Sequence, residues 1–368
     1  MPELSNNISA QFLLPVGGFL PSSPSEHGSS SSSDTAEAFN ICLAIAYAIT
    51  TLLTVLGNLI CLVILYRVKD ISDVTRIFMV SLTLADLGGG VSFTSLLVGS
   101  SALNSWPYPA WLCLVHVLSG HMFFISSLLS LQAVSIERFI AVVHPLRYQK
   151  LLTVNKAKCL LVYTWVTSAF VTLLYGFVYQ HQSQYDAGYN TCTVSRQDPT
   201  IVILQLMKVN LLAGTPFALT VALYCKLLMV ARQHVRRIEA LNVVEISKPT
   251  GGSGGAGGPA ATTTSKTNMK AAKTCLIVTM GFCIAWMPYL VIENYQYITS
   301  TDASPYLKSL SVFCIVSNSW WNVVIYYLRS GRFRLAARAV LKDYFGWKFA
   351  TRVIVLDTDS SNIPVSSD

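Results

Sequence analysis

Charge is scarce in this sequence. Asp, Glu, Lys and Arg together make up 12% of the chain, against about 25% in a soluble globular domain. A deficit of that size excludes a chain that is solvated throughout, and 52% of the residues are hydrophobic. The stretches 41–65, 159–185 and 274–292 contain no charged residue at all. A membrane-spanning helix needs roughly 20 consecutive apolar residues, and a backbone in lipid must satisfy its own hydrogen bonds, so these stretches are expected to be helices.

Basic residues are missing from one side. The first Lys or Arg is Arg67. Of the 26 Lys and Arg, only Arg196, Lys208 and Lys308 fall on the side shared with the N-terminus. This asymmetry excludes a nucleic-acid partner as the reason for the net charge of +8. By the positive-inside rule it predicts an extracellular N-terminus and a cytoplasmic C-terminus in the plasma membrane. No basic region precedes the apolar residues 11–20, so no cleavable signal peptide is expected.

Catalytic and metal-binding patterns are also absent. The six His residues (27, 116, 121, 144, 181, 234) have no metal spacing, and Asp86 has no second intramembrane Asp beside it. No enzyme is expected. A transporter or channel is the main rival, and it would need internal repeats or broken helix pairs, neither of which is found. No Cys follows the seventh span, so no palmitoyl anchor is expected there.

What is present is a run of seven candidate spans at 39–66, 75–101, 110–143, 157–180, 200–233, 269–298 and 306–328. The predicted fold is an all-α membrane protein: a seven-transmembrane helix bundle in the lipid bilayer, residues 39–328, followed by a short cytoplasmic amphipathic helix. That helix is expected over 329–345, lying on the inner membrane surface, because basic and apolar residues alternate there at helical spacing. Residues 1–38 are expected to be disordered and extracellular, with Ser-rich 21–38 unable to bury apolar surface. Asn7 heads a glycosylation sequon in that segment. A Gly-rich linker over 249–265 is expected to be flexible, and 346–368 forms a disordered cytoplasmic tail. Of the nine cysteines, Cys42, Cys61, Cys159, Cys225, Cys275, Cys283 and Cys314 fall inside spans and are expected to be small buried hydrophobes. Cys113 and Cys192 lie at outer positions, where an oxidising environment predicts a disulfide between them.

Polar residues inside the spans mark function, since an ionisable side chain at mid-bilayer costs roughly 2.5–3.5 kcal/mol on insertion scales. Asp86 falls in span two, with Asn58, Ser127, Asn318, Ser319 and Asn322 at similar depth. Two readings stay open for it, a small-cation site and a hydrogen-bonded network. Glu137-Arg138-Phe139 stands at the inner end of span three. Span six carries Phe282 and Trp286-Met287-Pro288-Tyr289, and the proline is expected to kink it.

The ordered set resembles the rhodopsin-like (class A) G-protein-coupled receptors over roughly 40–340. Gly57-Asn58 is similar to the helix-one motif of that family, Leu84-Ala85-Asp86 to its helix-two motif, and Glu137-Arg138-Phe139 to its Asp-Arg-Tyr motif. His144-Pro145-Leu146 is similar to its second inner loop. Trp165 matches helix four, Pro216 and Tyr224 match helix five, Phe282, Trp286 and Pro288 match helix six, and Asn322 and Tyr326 match helix seven. The resemblance implies a receptor for an extracellular ligand that activates heterotrimeric G proteins when helix six swings outward. It implies coupling through Glu137, Arg138, Leu146, Tyr224 and Tyr326, with Leu128, Pro216, Phe282, Trp286 and Asn322 as the activation switch. It also implies an allosteric sodium ion at Asp86, Ser127, Asn318, Ser319 and Asn322. Arrestin and receptor kinases are expected partners of the tail, through Thr358, Ser360, Ser361, Ser366 and Ser367.

The sequence departs from the family pattern at several places. Val323 stands for the helix-seven proline, Ala285 for a common cysteine, and Asn268 for an acidic partner of Arg138. The region of Tyr175 lacks the usual helix-four proline. A loosely held off-state with basal signalling is therefore expected. Gly120 occupies the place of the amine-receptor Asp, and Val316 that of the retinal-binding Lys, so an amine or an opsin chemistry is not expected. The outer bundle offers His121, Phe124, Gln205, Lys208, Trp286, Tyr289 and Glu293 as ligand-binding residues. Lys208 either receives an acidic ligand group or pairs with Glu293, and His121 either packs or contacts ligand.

Overall fold

The computed structural model of the chain describes residues 27–67, 71–179, 183–194, 259–329 and 331–345, together with scattered positions in 203–233. Two units divide the chain, Met1–Phe39 and Asn40–Asp368. The first contains the opening turns of the first helix, and the second carries everything described below.

Helix α1 spans His27–Arg67. Helix α2 spans Asp73–Ala102 and passes through one π-helical turn at Gly90–Thr94. Helix α3 spans Ala110–Val143 and α4 spans Val154–Tyr179. A hairpin follows, with strand β1 at Ser183–Asp186 and antiparallel β2 at Thr191–Val194. The fifth expected span lies largely outside the described residues; its helical run 221–226 is called α5. Helix α6 spans Pro259–Thr299, α7 spans Pro305–Arg329 and α8 spans Gly331–Phe345. Among the described residues, six helices are long and apolar enough to cross a membrane.

Local chemistry sets these boundaries. The Ser72 hydroxyl caps α2 by accepting the Thr75 N–H at 3.3 Å. Pro109 and Pro145 bracket α3, and Pro305 opens α7, where its missing N–H costs nothing. Pro288 lies inside α6 and removes one backbone bond there.

Two expected boundaries move. α1 starts at His27, inside the Ser-rich stretch expected to be disordered, because no Gly or Pro interrupts 29–56 and a helix once nucleated propagates cheaply. Residues 259–265 of the expected flexible linker are helical, the opening turns of α6, with Pro259 suited to a first helical position. The rest of that linker, residues 1–26 with Asn7, and the tail after 345 lie outside the described residues.

Polar residues are buried inside the bundle among apolar cores, and the outside is apolar. Asn58, Ser81, Ser127 and Ser130 are buried, while Val162, Val166, Phe170, Leu173 and Phe177 of α4 face outward. Lipid is as apolar as Leu, so helix association relies on packing and interhelical hydrogen bonds of about 0.6 kcal/mol each. Ser81 and Ser130 share a bond of 2.8 Å, and the Trp165 indole donates to Ser81 at 3.0 Å. These tie α2, α3 and α4. Asn58 donates to the Ser319 carbonyl at 3.1 Å, tying α1 to α7. Gly88 permits the closest approach, because a Cβ there would meet the Phe123 ring at 2.3 Å.

The cysteines divide by face. Cys61 and Cys283 are buried and Cys314 is half-buried, but Cys42, Cys159 and Cys225 face outward, so the expectation of buried hydrophobes fails for those three. An uncharged thiol tolerates an apolar surround on either face. Cys275 has no described side chain. Helix α7 runs unbroken through Val323, whose side chain packs 3.8 Å from where a Gly57 Cβ would sit. Helix α8 joins the main core through Phe333, Ala337 and Val340.

Candidate functional site

The bundle has two distinguishable ends. One carries the hairpin and the disulfide; the other carries Arg138.

At the Arg138 end, Glu137 of α3 is 0% exposed. Arg138 Nε donates to Glu137 Oε2, and Nη2 donates to Glu137 Oε1 at 2.5 Å. The same Nη2 donates to the Thr75 hydroxyl of α2. Thr75 donates onward to Glu137 Oε1 at 3.1 Å, and the Tyr148 phenol donates to that oxygen at 2.6 Å. One buried carboxyl thus gathers an Arg, a Thr and a Tyr from α3, α2 and the loop after α3. Burial, followed by the nearby Glu137 charge, pushes the Tyr148 phenol from 10.0 up to about 12. A raised acid favours the folded state at low pH, so this bond holds below pH 10 and is lost as pH climbs toward 12. Leu146 projects beside it, 97% exposed. Tyr224 is buried among Val74, Phe78 and Val134, whereas Tyr326 belongs to the separate core that includes Leu128 and Phe282. Thr75 and Tyr148 were absent from the residues singled out by sequence.

In mid-bundle, Asp86 is 2% exposed. Its Oδ1 accepts the Ser127 hydroxyl at 2.8 Å, and its Oδ2 accepts the Asn322 amide at 2.8 Å. Helices α2, α3 and α7 therefore meet on one carboxyl. Asn318 and Ser319 are buried on the same helix as Asn322, and Ser319 engages Asn58 through its carbonyl. This is a hard-oxygen set of one carboxylate with hydroxyl and amide groups, and its chemistry fits a small cation. Asn58 Oδ1, buried without a hydrogen-bond partner, is a further acceptor in the same layer. Among the described residues, no three His, Cys, Asp or Glu side chains are placed together to hold a metal ion.

Above Asp86 runs an aromatic stack. Phe282 and Trp286 stack at 5.4 Å, Trp286 meets Phe124 edge-on at 6.1 Å, and Phe124 meets Phe93 at 5.1 Å. Leu128 joins Phe282 in the core beneath. Pro216 lies outside the described residues.

At the other end, Cys113 and Cys192 form the expected disulfide, with Cα atoms 5.6 Å apart. It pins β2 to α3. Beside it, buried His116 shares a 2.7 Å bond with Thr191 and stacks on Phe93 at 4.2 Å. The hairpin was not expected from sequence, since strands of four residues give no usable alternation. Its tip is buried: Tyr189 is 2% exposed. The Tyr189 phenol donates to Glu293 Oε1 at 2.7 Å and accepts from Gln296 Nε2 at 3.0 Å. Its ring lies near Tyr289 and under Lys308 Nζ at 5.3 Å. Lys308 also pairs with Asp302 at 2.5 Å.

Of the expected ligand residues, Tyr289 and Glu293 thus meet the hairpin, and Phe124 and Trp286 meet each other. His121 instead packs its ring on Tyr175 of α4 at 4.1 Å. Gln205 and Lys208, with the proposed pairing of Lys208 and Glu293, lie outside the described residues. A Cβ at Gly120 would meet the Phe93 ring at 2.6 Å, so the place of an amine-binding carboxylate is filled by an aromatic ring. Val316 is buried in α7.

Comparison with known proteins agrees with this arrangement. Residues 57–326 match the family described as "7 transmembrane receptor (rhodopsin family)". The chain is 26% identical over 308 residues to trace amine-associated receptor 6 of Mus musculus, covering 82% of this chain and 85% of that protein. It is 27% identical over 323 residues to the thyrotropin-releasing hormone receptor of Homo sapiens, covering 80% and 79%. The crystal structure of squid rhodopsin superposes with a TM-score of 0.69 at 18% identity, covering 84% of this chain and 86% of that one; at that identity it speaks for the fold alone. With its family match reaching from Gly57 to Tyr326, the chain belongs to the rhodopsin family of seven-transmembrane receptors, multi-pass membrane proteins that couple to G proteins.

Proposed function

We propose that this receptor faces its disulfide end outward, takes a ligand among α3, α6 and α7 at that end, and drives nucleotide exchange on heterotrimeric G proteins by an outward swing of α6. The observation that carries this reading is the Arg138 clamp. A buried Glu137 holds the one exposed-end Arg that the family resemblance assigns to G-protein contact, so releasing it is a switch. Pro288 supplies a pivot in α6, and the Phe282–Trp286 stack supplies an element that a ligand can rotate. Purified receptor in nanodiscs is expected to accelerate guanine-nucleotide exchange on at least one heterotrimer. Arg138→Ala should reduce that acceleration at least about tenfold, the scale of one lost charge-assisted contact. An unaltered rate in Arg138→Ala would remove the reading.

The ligand chemistry is narrower than the names of the relatives suggest. The trace amine-associated receptors are named for amines, but here α3 offers no carboxylate at Gly120, and Phe93 supports the same conclusion by filling the space. Val316 offers no amine for a retinal-type linkage. Basal signalling is part of the proposal, because Asn268 supplies no acid to Arg138. Arrestin and receptor kinases acting on the Ser/Thr tail, glycosylation at Asn7 and an extracellular N-terminus belong to it as well.

A sodium ion at Asp86, Ser127, Asn318, Ser319 and Asn322 is proposed as an off-state stabiliser. When bound, it would supply a positive charge between α2, α3 and α7. Raising NaCl against a constant total of NaCl plus choline chloride should lower basal exchange in the wild type. Asp86→Asn should abolish that dependence. A sodium response that survives Asp86→Asn would exclude this site.

A further inference from the structure

The tip of the hairpin meets Tyr289 and Glu293, two of the residues expected to receive a ligand. Residues 187–190 connect β1 to β2. Asp186 Oδ1 accepts the N–H of Gly188 at 2.8 Å and of Tyr189 at 3.4 Å, an Asx-turn that pre-sets the tip. Asn190 has a φ of 53°, a left-handed conformation that Asn tolerates. The turn aims Tyr189 inward.

The contacts it then makes are those of a recognised ligand rather than of a covering loop. Its phenol both donates, to Glu293, and accepts, from Gln296, within a 2% exposed site. The tip is also held from the other helices. Ser309 of α7 donates to the Gly188 carbonyl at 2.9 Å. Ser100 of α2 donates to the Asn190 carbonyl at 2.8 Å. The disulfide and His116 hold β2 to α3.

We propose that Tyr189 is a tethered, intramolecular ligand of the outer bundle, and that its phenol, held by Glu293 and Gln296, acts as a built-in inhibitor of activation. The direction follows from what the tip joins. Glu293 and Gln296 stand beyond Pro288 on α6, and the same tip is bonded to α2, α3 and α7. Any movement of the outer segment of α6 that accompanies a swing about Pro288 changes those distances. The clamped Arg138 and the docked tip occur in one structure, and docking favours the clamped state by as much as these bonds weaken when α6 swings. An activating ligand of such a receptor must displace the phenol, whereas a phenol-bearing molecule that restores the bonds to Glu293 and Gln296 is expected to inhibit.

This inference rests on the receptor reading above, and the test separates the two. Wild type, Tyr189→Phe, Glu293→Gln and Tyr189→Ala are purified as full chains in nanodiscs and assayed for exchange on a panel of heterotrimers. Tyr189→Phe keeps the ring and removes only the hydroxyl. It is expected to raise basal exchange about tenfold, the scale of one hydrogen bond to a charged acceptor. Adding Glu293→Gln to it should produce little further rise. In Tyr189→Ala, millimolar p-cresol should return exchange toward the wild-type level, and toluene should not. Basal exchange in Tyr189→Phe at or below wild type overturns the proposal, and so does an equal effect of p-cresol and toluene. If no form, wild type included, stimulates any heterotrimer, the receptor reading fails and takes this proposal with it.

Discussion

Cys113→Ser or Cys192→Ser is expected to leave almost no correctly folded receptor at the cell surface. The bond closes a loop of 79 residues, and releasing such a loop is worth roughly 4–5 kcal/mol by chain entropy alone. That is a large fraction of the stability of a typical domain. More is lost than the cross-link, because β2 carries Thr191, whose hydroxyl meets the otherwise apolar surroundings of His116. Surface labelling against total expression is the measurement. The double variant Cys113→Ser/Cys192→Ser should resemble either single variant, since each removes the same bond. Surface levels near wild type in either single variant would mean that the hairpin is held by its polar contacts without covalent help.

Glu137→Gln is expected to raise basal nucleotide exchange about tenfold or more. Each bond from Arg138, Thr75 and Tyr148 to Glu137 ends on a carboxyl oxygen. A hydrogen bond to a charged group contributes roughly 1.5–3 kcal/mol, and 1.4 kcal/mol is tenfold in an equilibrium. The amide keeps an oxygen acceptor and the side-chain shape, so the helix should stay packed while the charge that attracts Arg138 is removed. Tyr148→Phe removes one of the four bonds and should give a smaller rise in the same direction. Exchange in Glu137→Gln indistinguishable from wild type, at matched receptor amounts, would mean that the off-state is held elsewhere.

Much of the bundle was legible in sequence because hydropathy reports directly on lipid exposure. The expected span 110–143 coincides with α3, and the ends of α2 and α7 differ from expectation by a residue or two. Glu137 with Arg138, neighbours in the chain, was legible too, and so was the pairing of Cys113 with Cys192. Asp86 and Asn322, separated by 236 positions, were placed together by their similar depth in the spans, and the family resemblance added the sodium reading. Contacts set by tertiary packing left no local signal. Thr75 and Tyr148 are ordinary residues in any linear reading, and the four-residue strands around Tyr189 are stabilised by what the helices offer them. His121 was left between packing and ligand contact, and its ring packs on Tyr175. The Ser-rich stretch misled for a further reason: composition describes a free chain, and residues 27–38 are attached to a helix that continues into them.

The buried position of Tyr189 has a practical bearing on pharmacology. A molecule that competes with a segment of the same chain finds the site open only part of the time, so its measured potency is its intrinsic potency multiplied by the fraction of time the segment is away. That factor is the same for every competitor at the site. A compound screen on the wild type would therefore rank its hits in the right order while placing all of them on a scale shifted toward weakness, and a Tyr189→Phe receptor would serve as the more sensitive bait.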